Sequence, residues 1–427
     1  MQGGTAFHNA NLQREEREVV EKGFRSATGG IHVLASTTTL AAGVNTPAST
    51  VILAEKKFVG EDGRPFTVAE YKNMAGRAGR LGFNETGKSI ILADTPVERA
   101  ELFRRYVQGS PEDVVSSFND GDLPTWVLRL LSQVNGVTAA EIPGLLVSTF
   151  GGYAASRANP AWATQVAARV NQLIGRMLQN NLAELEGDVV HLTLLGRAVG
   201  ASSLTFESGL RLVELVKEVD WTAAAPSYII CLIQVLQEMD AVYTPLLVKG
   251  VSESARITDA SQRYGQSVIR LLSRFGADEV RLRQRCKRAA IMYDWLEGVA
   301  VDVIEQRYSP NPYSGTIKYG DIIAIADATR FHLRSARRIF TALFPERADM
   351  AEAIDKLLIR LEFGLPEDGL ALLELPISLN RGQRLALLAH GARDATQVTE
   401  MADEALSACI GSESASQLAV RRQAEPT

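Results

Sequence analysis

The sequence predicts a multi-domain protein in which an α/β segment is followed by a longer, mainly helical one. Three observations lead there. From Met1 to about Ser110, short apolar runs alternate with polar helical stretches, the pattern of buried parallel strands and their crossovers. From about Pro111 onward, helical periodicity runs with few breaks and one tight hairpin signal. The length of 427 residues corresponds to about three domains, enough for several hydrophobic cores.

In the first segment, Ile31 to Ala35 and Val51 to Ala54 suit buried strands, and Arg14 to Phe24 reads as a polar helix. Thr67 and Glu70 form a Thr-x-x-Glu capping box that opens another helix. That helix is expected to carry Arg77 and Arg80 on one face near its C-terminal end. Gly76, Ala78 and Gly79 remove bulk beside them at a cost in helix stability, which points to close approach of another surface. Rigid donors offered to a docked anion suit phosphoryl transfer; the alternative is two arginines on a solvated face. Between the strand and this helix, Glu55 to Phe66 places Phe58 and Phe66 on two arms flanking a Glu61-Asp62-Gly63 turn with Arg64, a hairpin signal.

A literal G-x-x-x-x-G-K-S runs from Gly82 to Ser89. It is expected to be a decoy. A phosphate loop follows a strand and opens a helix, whereas this segment follows a helix and enters the apolar run Ile90-Ile91-Leu92.

Residues 111–200 read as helices over Leu123–Val134, Ala139–Phe150 and Ala161–Gln179. An alternating run, Leu182 to Leu192, then turns at Gly187-Asp188. Helices followed by a small hairpin make a winged helix. Residues 201–345 read as a helical bundle. Between Arg281 and Phe340, eleven Lys/Arg face six Asp/Glu, a positive band that includes Arg281, Arg283, Arg285, Lys287 and Arg288. A helix from Asp321 to about Leu343 sets Phe331, Arg334 and Arg338 on one face. An aromatic flanked by arginines is what a single-strand channel needs, stacking on bases and neutralising phosphates; the other reading of Phe331 is ordinary core. Residues 346–410 form a further unit, and the small, polar tail from Gly411 to Thr427 is expected to be disordered.

Composition narrows the class. A net charge of −5 makes any nucleic-acid surface local. Met1 to Leu12, polar and broken by glycines, does not read as a signal peptide. No apolar run approaches the roughly twenty residues needed to span a bilayer, so no membrane partner is expected. Cys231, Cys286 and Cys409 lie far apart with no CxxC spacing, as buried thiols of a reducing, cytoplasmic compartment. The five histidines make no metal constellation.

The stretch from Ser36 to Pro47 resembles motif V of superfamily 2 helicases, and Glu70 to Arg80 resembles their motif VI. Phe7 to Leu12 with Arg14-Glu15-Glu16-Arg17 resembles the motif shortly before motif V in the Ski-like group. The match is nearest to archaeal-type DNA repair helicases and the helicase part of polymerase theta. Asn73 stands where the family usually has Gln, and Asn9 and Asn11 replace a His and a Gly.

The resemblance implies that residues 1–110 are the later part of a second RecA-like domain. Gly43, Asn45, Asn73, Arg77 and Arg80 would line an ATP·Mg²⁺ site shared with a first RecA-like domain. No Walker A loop or Asp-Glu box of such a domain is found here, so it is expected on another polypeptide or lost by truncation. Thr39 would touch nucleic acid, and Phe58, Arg64 and Phe66 would brace a strand-separating pin. Residues 111–200 would be a winged helix bracketing motor and bundle, and the Phe331 helix a ratchet helix. Residues 346–410 resemble a helix-hairpin-helix unit with Arg381 and Arg384 able to contact phosphate. The function implied is the C-terminal part of an ATP-dependent helicase acting on single-stranded or forked DNA. The alternatives are a non-catalytic single-strand-binding protein, a subunit of a split helicase, or an RNA helicase fragment.

Overall fold

The structure, a computed structural model, describes the chain except residues 1–3, 10–11, 13, 27–29, 38–47, 58–62, 80–85, 117–121, 222–224, 226, 247–250, 310–314 and 425–427. It divides into two compact units, Met1–Val115 and Ser116–Thr427.

The first unit is built from two parallel strand pairs. β1 (Thr5–His8), α1 (Arg14–Arg25) and β2 (Val33–Ser36) form one crossover, with Thr5 opposite Val33 and His8 opposite Ser36. β3 (Thr50–Leu53), α2 (Val68–Ala75) and β4 (Lys88–Ile91) form the other, with Ile52 opposite Ile90. Parallel strands need such a crossover connection, and a helix supplies it in both. The strands expected at 31–35 and 51–54 are present, shifted by one or two residues. α3 (Pro96–Leu102) runs on into a π-helical turn, Phe103–Val107. Leu53, Phe66, Val68, Tyr71 and Tyr106 make a small core.

In the second unit α4 (Leu123–Leu131), β5 (Val137–Thr138), α5 (Ile142–Val147), α6 (Phe150–Ala158) and α7 (Trp162–Gln179) lead into β6 (Ala183–Glu186) and β7 (Val189–Leu192). The strands form an antiparallel sheet in the order β5-β7-β6, and Gly187 makes the β6–β7 turn at φ 60°. The helix expected over 139–150 is shorter, Ile142–Val147, and another begins at Phe150. Ser148 is the C-cap of the first and Thr149 caps the second, accepting from the Gly152 amide at 3.1 Å. Gly152 sits so close to Leu146 that a Cβ would fall 1.9 Å from its carbonyl oxygen.

The bundle follows: α8 (Leu194–Gly200), α9 (Phe206–Glu218), α10 (Tyr228–Gln234), α11 (Gln237–Asp240), α12 (Val251–Tyr264), α13 (Ser267–Leu272), α14 (Glu279–Leu296), α15 (Val301–Tyr308), α16 (Tyr319–Leu343) and α17 (Ala348–Phe363). One apolar core runs continuously from Leu123 to Leu361. A second, smaller core from Leu372 to Leu418 holds together a 3₁₀ segment, Glu367–Glu374, with α18 (Arg381–Ala389), α19 (Ala395–Glu400), α20 (Asp403–Ile410) and α21 (Ser412–Ala424). Over Ser412–Ala424 the last helix corrects the expectation of a disordered tail. Ala415 and Leu418 are buried, and their apolar contacts with this core repay the ordering of an otherwise polar segment.

Candidate nucleotide and nucleic-acid sites

The α2 N-terminus is fully satisfied from within. Thr67 Oγ1 accepts from the Glu70 amide at 3.1 Å and Glu70 accepts from the Thr67 amide at 2.8 Å, the expected capping box. The Glu112 carboxylate takes the Val68 and Ala69 amides at 2.7 and 3.0 Å. Arg64 grips Glu70 with two bonds of 2.9 and 2.6 Å and holds its carboxyl down at about 2. The π-helical turn braces the same region, with Tyr106 donating to the Phe66 carbonyl at 2.9 Å.

The arginine segment is not helical where the sequence suggested. α2 ends at Ala75, with Gly76 as its C-cap. Arg77 lies beyond it, so the argument from helical spacing with Arg80 does not hold, and Arg80 itself lies outside the described residues. After the helix the chain runs beside residue 48. The Ala48 amide donates to the Arg77 carbonyl at 3.2 Å and the Gly79 amide to the Ala48 carbonyl at 3.0 Å. Gly79 is at φ +69°, and a Cβ on it would stand 2.4 Å from the Gly87 nitrogen. One on Gly87 would stand 2.2 Å from the Ala78 carbonyl carbon. Gly79 thus makes room for the chain's own Thr86–Gly87 stretch, whereas a Cβ on Gly76 would meet the Lys72 carbonyl of its own helix at 3.1 Å. Arg77 is half-buried and Asn73 exposed at the end of α2.

Thr39, Gly43, Asn45 and Phe58 lie outside the described residues. Lys88 and Ser89 belong to β4 and open no helix, so the geometry of a phosphate loop is not formed there. Lys57 and Pro65 make an antiparallel bridge at the expected hairpin. Phe66 is 3% exposed, an anchor of the core.

On α16 the expected face is present. Phe331 is 53% exposed, which rules out ordinary core. Arg334 and Arg338 are exposed on the same side, while Thr329, Leu333, Ala336 and Phe340 are buried behind them. Arg338 donates to the Ala201 carbonyl at 3.2 Å.

The positive band needs correction, because much of it is core. Arg285, Lys287 and Arg288 are 1%, 0% and 0% exposed. Arg285 makes two bonds to Asp240 at 3.1 and 2.8 Å and two to the carbonyls of Leu272 and Arg274. Lys287 meets Glu253 at 3.1 Å and the Pro245 carbonyl at 2.7 Å. Burial pushes Lys287 below its usual range and Arg288 down to about 10, with Glu253 and Asp240 opposing the shift. A charge desolvated and paired in this way is not offered to a phosphate.

Arg381 and Arg384 also turn inward. Arg381 donates to the carbonyls of Gly364, Trp295 and Val299 at 2.7, 3.2 and 2.8 Å and stacks 4.2 Å from the Trp295 ring centroid. Burial lowers it to about 10. Arg384 is 9% exposed and lies over Phe363. At the start of α18, Asn380 and Gln383 satisfy each other's amides at 2.9 Å. The expected phosphate contacts of Arg381 and Arg384 are therefore replaced by intramolecular ones.

All three cysteines are free and buried, and burial pushes Cys286 up to about 12. Among the described residues, no three His, Cys, Asp or Glu are grouped to hold a metal ion. None of the described helices is long and apolar enough to cross a membrane.

Two parallel crossovers with the arginine segment after α2 fit a helicase C-terminal region. The model of the helicase conserved C-terminal domain matches residues 4–82. The chain is also similar to the "ATP-dependent DNA helicase Hel308" of Pyrobaculum calidifontis, 28% identical over 395 residues and covering 91% of this chain and 51% of that protein. The Hel308 proteins of Pyrococcus horikoshii and Caldivirga maquilingensis are each 27% identical, covering 92% and 91% of this chain and 52% and 51% of theirs. The chain spans about half the length of the curated relatives it matches. Together these findings bear out the resemblance to the C-terminal portion of a superfamily 2, Ski-like DNA helicase.

Proposed function

We propose that the chain is the C-terminal part of an ATP-dependent DNA helicase, supplying the arginine side of the ATP site and much of the single-strand path. The observation that carries this is Phe331, exposed on a helix of 25 residues whose other face is core, with Arg334 and Arg338 one and two turns on. Stacking on a ring is sequence-tolerant and charge on either side follows the backbone, as a translocating enzyme requires. α4 to β7 supports a winged helix, and α16 a ratchet helix.

At the other site, the half-buried Arg77 fits an anion such as a nucleotide phosphate. Arg80, Asn73, Gly43 and Asn45 complete this side in the proposal. ATP, with Mg²⁺, supplies the phosphoryl group transferred to water. The chain's own part is to orient that group and to stabilise the charge growing on it. A neighbouring first RecA-like domain would supply the remaining ligands, and the 427-residue chain by itself would turn over no ATP.

Phe331→Ala should weaken single-stranded DNA binding by on the order of 1–3 kcal/mol. In the complete enzyme, Arg80→Lys should depress turnover far more than ATP affinity, because the planar fork is lost while charge is kept. Unchanged turnover with weakened DNA binding would move Arg80 to the DNA path and overturn the assignment.

A further inference from the structure

The underside of α16 carries polar groups where apolar ones would suffice for packing. Thr329 is fully buried, and its hydroxyl accepts from Gln234 Nε2 at 3.0 Å. Gln234, equally buried, accepts from Arg288 Nε on its own oxygen at 3.0 Å. Arg288 in turn reaches Thr244 Oγ1 at 3.2 Å and Asp240 at 3.4 Å. Both ends of the Gln234 amide are bonded only with its oxygen toward the guanidinium and its nitrogen toward the hydroxyl. The chain of bonds from Asp240 to α16 is therefore fixed in direction.

Thr329 precedes Phe331 by two residues, about 200° around the helix axis, so the two project from opposite sides. The apolar neighbours Leu333, Ala336 and Ile339 are buried, but apolar contact is non-directional. A hydrogen bond is directional. The Arg337–Asp355 and Arg330–Glu362 pairs of α16 are partly open to solvent, whereas the Thr329–Gln234 bond is buried, out of competition with water, and resists rotation of the helix. A rotation of about 10° would carry a ring about 6 Å from the axis through about 1 Å.

We propose that Thr329, held through Gln234 by Arg288, is a positioning residue that fixes the rotation of α16 and so aims Phe331 at the bases of a single strand. This rests on the reading of Phe331 as a stacking residue.

The test uses the full chain, a fluorescein-labelled oligothymidine and anisotropy, with thermal melting alongside. Thr329→Val should weaken binding about threefold to tenfold, and Thr329→Ser should restore it to within about twofold. In a Phe331→Ala background, Thr329→Val should add nothing, since its effect passes through the ring. If Thr329→Val does not fold, Thr329→Cys keeps the size, weakens the acceptor and answers the same question. A lowered melting temperature with unchanged affinity would show a structural role only and overturn the proposal, as would a loss additive with Phe331→Ala. If Phe331→Ala itself left binding unchanged, the stacking reading would fail and the positioning role with it.

Discussion

Arg285→Met separates a buried structural arginine from a phosphate-binding one. The guanidinium makes four bonds: two to Asp240, which is 18% exposed, and two to backbone carbonyls. Methionine fills most of the volume but restores none of them. Asp240 then keeps only the weaker 3.4 Å contact with Arg288, and the carbonyls of Leu272 and Arg274 lose their donor. Breaking a buried pair in this way costs about 3–5 kcal/mol. At about 2–4 °C per kcal/mol for domains of 150–250 residues, and less for a larger unit, the melting temperature should fall by about 5–10 °C. Single-stranded DNA binding, measured at several salt concentrations below the melting point, should keep its salt dependence. A phosphate-contacting arginine behaves oppositely, since its loss would reduce the logarithmic salt slope by roughly 0.7 for a single strand with stability little changed. A stable Arg285→Met chain with a reduced slope would refute the burial argument.

Gly79→Ala forces a side chain onto φ +69° and toward the Gly87 nitrogen. The backbone conformation alone costs about 1–2 kcal/mol, so the first unit should melt earlier by circular dichroism, with Gly76→Ala showing the milder effect. The Arg64–Glu70 pair predicts a pH dependence. Because Glu70 is held at about 2 rather than 4.5, its contribution to stability is present above pH 4.5 and is lost as pH falls toward 2. Arg64→Gln should flatten that part of a denaturation-versus-pH series. Leu418→Ala removes a buried anchor of α21, at about 2–5 kcal/mol, and should make residues after Gly411 sensitive to proteolysis while Phe331-dependent DNA binding stays intact.

Much of the secondary structure was legible because it depends on neighbours in sequence. The Thr67–Glu70 capping box, the Gly187 turn and the two faces of α16 are fixed by spacings of two to four residues. The same logic failed at the end of α2, where Gly76 stops the helix and the contact with residue 48 takes over.

By itself the sequence determined the alternating first segment, the family resemblance and the helical spacing that sets Phe331, Arg334 and Arg338 on one face; that this face meets solvent was decided by the packing of α16. Tertiary structure alone decided which cations meet solvent. Arg285 and Arg281 are equally charged in the sequence, but Asp240, 45 residues earlier, draws one of them into the core. Arg381 similarly finds its acceptors at Trp295 and Val299, 86 and 82 residues away. A charge carries no mark of its burial. Its fate is set by whether the folded chain brings acceptors close enough to offset the loss of water, and those acceptors are remote in sequence.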